Sequence, residues 1–125
     1  MRITPDNKFL DLPCAHVAIG IAYERRFHDP FPQQALSISR ANGYCTLREA
    51  DRAIRHLLPV RKKVYFKRNE RMALSEFLGA NEAHCVVCVL GHYIYAEGST
   101  YWSFFDNEDD PVVCAWYIEK GEDHD

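Results

Sequence analysis

Three side chains far apart in the chain could together perform nucleophilic chemistry. Cys14 lies in DLPCAHVAIGIAYERR, while His92 and Asp106 both lie in HYIYAEGSTYWSFFDN. A cysteine attacks only as its thiolate, and a helix N-terminus favours that anion through unpaired N–H groups and the helix dipole. With a cationic partner, the thiol pKa falls from about 8.5 to as little as about 3.5. Cys14 follows Pro13 where a helix is expected to open. A hairpin turning about residues 98–100 would set His92 opposite Asp106, with Cβ atoms about 5 Å apart on one face. The carboxylate would then accept the Nδ1–H of His92, fix its tautomer and leave Nε2 to the thiol, the logic of a nucleophile, base and orienter. Each residue also has a plainer use. Free cysteine often packs as a small hydrophobe, and Asp106-Asn107 can be turn chemistry beside a half-exposed strand histidine.

The elements that would position these residues follow from periodicity. Cys14, Val17, Ala18, Ile21 and Ala22 recur at helical spacing and form one apolar face, and Pro13 suits the first turn. QQALSISRANG reads as a second helix ending at Asn42-Gly43. TLREADRAIRHLLP is a third, opened by a Thr46/Glu49 capping box and ended by Pro59. KKVYFK alternates as a short strand, and NERMALSEFLG reads as a helix from Asn69 to Gly79. From His84 the chain turns β-branched and aromatic: HCVVCVLG, HYIYAEGSTYWSFFDN and PVVCAWYIE predict three antiparallel strands with turns at Gly91, Glu97–Thr100 and Asn107–Asp110. Helices first and strands last predict an α+β domain.

Composition bounds the rest. The 125 residues show no repeat, low-complexity block or linker, so a single domain over 1–125 is expected, with an N-terminal arm over 1–10 and a frayed acidic tail over 120–125. A chain of this length buries roughly two-thirds of the surface its unfolded form exposes. The formal charge is −3, with Lys and Arg scattered among acids, which argues against nucleic acid and anionic membranes as partners. No apolar run approaches the ~20 residues of a membrane span and MRITPDNKF lacks a signal-peptide core, so a cytoplasmic protein is expected. Five cysteines without scaffold spacing fit reduced thiols.

A zinc site built from CVVC, His92 and Cys114 has suitable ligand types. However, Val86-Val87 favours an extended strand that sends Cys85 and Cys88 to opposite faces. These two, with Cys114 and Cys45, read as packing thiols, and no metal or cofactor is expected. The tyrosines, tryptophans and phenylalanines of the last strands read as core and sheet surface. Among the other histidines, His16 lies about 200° around the helix from Cys14, while His28, His56 and His124 fall in a loop, an amphipathic helix and the tail. His84 begins a strand with no Asp or Asn placed to orient it.

An early helix opened by Cys, then a late sheet carrying His and Asp in that order, resembles the papain-like cysteine peptidases. The resemblance is greatest to small bacterial and phage proteins related to bacteriocin-processing peptidases. It rests on DLPCAHVAIGIA and GHYIYAEGSTYWSFFDN and covers about Asp11 to Tyr117. It implies N-terminal helices packed on a C-terminal antiparallel sheet, Cys14 as nucleophile, His92 as general base, Asp106 as its orienter, and a peptide or protein substrate. The family usually has a Gln several residues before the Cys to serve the oxyanion. PDNKFLDLP has none, and Asn7 is the amide available in its place. The same triad serves transglutaminase-like deamidation and acyl transfer, and a non-catalytic adaptor or inhibitor on this fold is the rival reading.

Overall fold

The structure is a computed structural model that describes residues 1–32 and 46–121. The expected helix over 33–43, Cys45 and the last four residues of the tail lie outside the described residues. The elements run β1 (Arg2–Ile3), α1 (Cys14–Phe27), α2 (Leu47–Leu57), β2 (Val60–Tyr65), α3 (Leu74–Gly79), β3 (His84–Val89), β4 (His92–Glu97), β5 (Thr100–Trp102) and β6 (Val112–Ile118). Short 3-10 turns lie at Asn7–Phe9 and Arg68–Glu70 among the described residues. The strands form a single mixed sheet in the order β1-β5-β4-β3-β6-β2, antiparallel except for the β1–β5 pair.

Both faces of this sheet are covered, which explains why β3 and β6 read as nearly continuous apolar runs. Val86, Cys88, Cys114 and Trp116 face the layer containing α1 and α2. Cys85, Val87, Val89 and Ala115 face Leu74, Phe77 and Leu78 of α3. Cys85 and Cys88 therefore point to opposite faces, as expected for an extended strand.

Helix α1 departs from a one-sided pattern. Every residue from Ala15 to Ala22 is buried. The sheet covers one side, and Phe9, Phe31 and α2 cover the other, with Phe9 and Phe31 packed against Gly20 closely enough to meet a Cβ placed there. The apolar face read from periodicity is thus only part of a helix enclosed all round. Pro13 is its N-cap rather than a residue of the first turn.

The capping box of α2 is formed, with Glu49 N–H donating to Thr46 Oγ1 at 3.2 Å and Thr46 N–H donating to Glu49 Oε1 at 3.3 Å. The helix expected from Asn69 to Gly79 forms only from Leu74. Asn69 and Glu70 fall in the 3-10 turn, and Met72 and Ala73 stay extended because Val112 N–H donates to the Met72 carbonyl and Ala73 bridges to Pro111. Strand pairing outweighs local helix propensity there. Residues 1–10, expected as an arm, contribute β1, which pairs in parallel with β5 through Arg2 and Ile3.

Strands β5 and β6 are consecutive in sequence but lie on opposite sides of the β3–β4 hairpin. Residues 103–111 are therefore a crossover rather than a tight turn. They pass the end of the sheet where β3 turns into β4, and Leu90 N–H donates to the Pro111 carbonyl there at 3.0 Å. Gly91, at φ +79°, makes that turn possible, and His92 follows it.

Candidate active site

Cys14 is the first residue of α1, and Pro13 offers no side chain to accept the N–H groups of the first turn. The thiol is half-buried and free. His92 opens β4, and Ser103 follows β5. All three line one pocket of about 250 Å³, walled by Leu10, Leu12, Val17 and aromatic rings that include Phe105. The structure thus brings the proposed nucleophile and base to one cavity across nearly the whole chain.

Asp106 is placed differently from the sequence expectation. Strands β4 and β5 pair Tyr95 with Trp102 and Ala96 with Tyr101. Continued, that register sets Phe105 opposite His92, one residue short of Asp106. The Phe105 ring packs edge-on against the His92 ring at 5.7 Å. The Asp106 carboxylate instead accepts the Glu108 N–H at 3.0 Å and the Tyr101 hydroxyl at 3.5 Å, a turn interaction.

The contact of the His92 ring is with Ser103, at 3.3 Å from Nε2 to Oγ. Beyond it the Ser103 hydroxyl donates to Asn107 Oδ1 at 2.7 Å, and Asn107 Nδ2 donates to Asp110 Oδ2 at 2.8 Å. The nitrogen expected to face the thiol is therefore the one turned towards Ser103. Ser103 and Asn107 are buried, and Asp110 is half-buried. Ser103 is also held through its backbone by β1. Its N–H donates to the Ile3 carbonyl at 3.1 Å, and Arg2 Nη1 donates to its carbonyl at 3.4 Å. Burial pushes the pKa of His92 below the ordinary imidazole value, and the Asp110 carboxylate partly opposes that shift. Burial thus favours the neutral ring, the form that can take a proton.

Asn7 is exposed, begins the 3-10 turn Asn7–Phe9 and does not line the pocket. The other described thiols, Cys85, Cys88 and Cys114, are buried away from any helix start. Cys85 and Cys114 are buried and pushed up to about 11 by desolvation. Among the described residues no group of three or more His, Cys, Asp or Glu side chains could hold a metal ion, and no helix is long and apolar enough to cross a membrane.

Sequence reasoning missed Ser103, Asn107 and Asp110. Asn107 and Asp110 carried a signal that was read as a turn. Ser103, between aromatic residues, carried none. Comparison with protein-family models, with curated proteins and with solved structures returned no match.

Proposed function

We propose that this protein is a cysteine hydrolase of papain-like architecture acting on a peptide or protein amide bond. The observation that carries this reading is the convergence of Cys14, at the start of a buried helix, and His92 on one pocket. The Cys14 sulfur attacks the carbonyl carbon, forming a C–S bond, while His92 takes the thiol proton through the ring nitrogen not turned to Ser103. The C–N bond then breaks, and His92 returns the proton to the leaving amine. Water, deprotonated by the same ring, attacks the acyl carbon and releases the acid and the free thiol. The N–H groups of the first turn of α1 are the donors closest in sequence to the developing oxyanion, a role for which Asn7 is poorly placed. A glutamine side chain as acyl donor makes the same steps a deamidation, and an amine in place of water makes them an acyl transfer.

Alkylation with iodoacetamide across pH, with the modified thiols mapped by mass spectrometry, tests the reading. Modification of Cys14 ahead of Cys85, Cys88 and Cys114 below neutrality, abolished in His92→Ala, is the expected result. Labelling of Cys14 with a midpoint near about 8.5, the ordinary thiol value, and unchanged in His92→Ala, would favour a non-catalytic binding protein.

A further inference from the structure

The hydrogen bonds around His92 have only one consistent polarity. Asp110 as a carboxylate can only accept, so the Asn107 atom 2.8 Å from it must be the amide nitrogen. That places the Asn107 carbonyl oxygen 2.7 Å from Ser103 Oγ. Two acceptors cannot share a contact without a proton between them, so the single hydroxyl proton of Ser103 lies on that bond. The Ser103 oxygen then has only lone pairs left. One accepts the Phe105 N–H at 3.1 Å, and the other faces His92 Nε2 at 3.3 Å. Nε2 must therefore carry hydrogen, and in the neutral ring Nδ1 carries the lone pair.

We infer that Asp110, acting through Asn107 and Ser103, holds His92 in its Nε2–H tautomer and so makes Nδ1 the proton acceptor for Cys14. Asp110, Asn107 and Ser103 act through the ring and are positioning residues. The same polarity removes Ser103 as a rival nucleophile, because its proton points to Asn107 and the residue is 2% exposed. The crossover explains why the anchor sits so far along the chain: residues 103–111 pass the sheet end where His92 begins, and they bring a carboxylate across it.

Loss of the anchor has a defined consequence. With Asp110→Asn the residue facing the Asn107 amide can donate as well as accept, so the amide is no longer held one way and can also present its nitrogen to Ser103. In that arrangement the Ser103 hydroxyl donates a hydrogen bond to His92 Nε2, and the neutral ring carries its single hydrogen on Nδ1, which can then no longer accept from a thiol. This inference rests on the proposed hydrolase reading only for the role of Cys14, since the tautomer itself is measured without substrate.

The experiment is long-range ¹⁵N–¹H NMR of the histidine rings in the full ¹⁵N-labelled chain, wild type at the anchor but carrying Cys14→Ala so that no thiolate can keep the ring doubly protonated, at about pH 8, above the imidazole range, with His92 identified by the peaks lost in His92→Gln. With the wild-type anchor the ring is expected to show Nε2–H. Asp110→Asn and Ser103→Ala should each leave a mixture with a raised share of Nδ1–H, each with a backbone spectrum that retains the native dispersion. Cys14 alkylation below neutrality should fall in Asp110→Asn in step with the Nδ1–H share gained. An Nδ1–H ring with the wild-type anchor, or a tautomer ratio unchanged in a folded Asp110→Asn, overturns the inference. Should Asp110→Asn unfold the chain, an unchanged ratio in Ser103→Ala overturns it equally. An Nε2–H ring that responds to both variants, beside a Cys14 of ordinary reactivity, keeps the tautomer lock and removes the hydrolase reading instead.

Discussion

Removing the Asp51 carboxylate should cost far more as alanine than as asparagine. Asp51 lies on α2, and its Oδ1 accepts the indole N–H of Trp116 at 2.9 Å and the Arg55 Nε–H at 2.9 Å, with Lys63 Nζ at 3.4 Å. Trp116 is fully buried in β6. Asp51→Ala leaves its indole hydrogen without this acceptor, which costs about 1–3 kcal/mol. The Arg55 pair is an exposed i,i+4 contact, and its loss adds only about 0.3–0.5 kcal/mol. The buried donor therefore decides the size of the effect. A total near 2 kcal/mol lowers Tm by about 6–10 °C in a domain of this length, taking about 3–5 °C per kcal/mol. Asp51→Asn keeps an oxygen for the indole and loses only the ion pairs, so it should cost under about 1 kcal/mol. Denaturant unfolding followed by tryptophan fluorescence, paired with a thermal scan, measures both. Alanine and asparagine variants of equal stability, or an alanine variant within about 0.5 kcal/mol of wild type, would refute the argument that the indole bond is what ties α2 to the sheet.

Gly20→Ala should destabilise by about 1 kcal/mol, although alanine is the better helix former by about that amount. Its Cβ would lie 2.8 Å from Phe9 Cε1 and 2.9 Å from Phe31 Cδ2, and overpacking of that kind costs about 1–3 kcal/mol. A gain in stability would show that the rings yield freely. In native protein at about pH 8, below the value of about 11 to which burial pushes both thiols, Cys85 and Cys114 should resist a thiol reagent until denaturant is added. Mapping by mass spectrometry checks this, and fast native labelling of either would contradict their burial. Burial pushes the Glu97 carboxyl up, but hydrogen bonds from Arg25 and Tyr95 outweigh it and hold the pKa below the ordinary value. Its contribution to stability is therefore complete above about 4.3 and is lost as pH falls through the lower folded value. Glu97→Gln should flatten the acid limb of a stability-against-pH curve, and an unchanged slope would count against the pairing.

What could be read from the chain was whatever rests on near neighbours. The Thr46/Glu49 capping box is a four-residue signal, and it stands in the structure as read. The strands after His84 were visible because β-branched and aromatic residues crowd there, and the glycine turns divide them. Met72 and Ala73 failed the same test for a physical reason. Their helical pattern was local, but their backbone groups pair with residues 111 and 112, some 39 positions away.

The site divides along the same line. Cys14 was found from its place at a helix start and His92 from a hairpin pairing with Asp106 that the register misses by one residue, and both reach the pocket. The orienting group could not be found that way, because finding it required knowing that β5 and β6 are not neighbours. With adjacent strands, residues 107–110 become a turn, and Asp106 is the natural partner for His92. With β4 and β3 lying between them, the same residues must cross three strand spacings, roughly 14 Å at about 4.8 Å each. The hydrogen-bonding groups presented to His92 are then set by where that crossing begins and ends, at Ser103 beside β1 and at Asp110 before Pro111. A two-residue edge strand, too short to show any periodicity, thereby anchors one end of the path by which a carboxylate orients the ring.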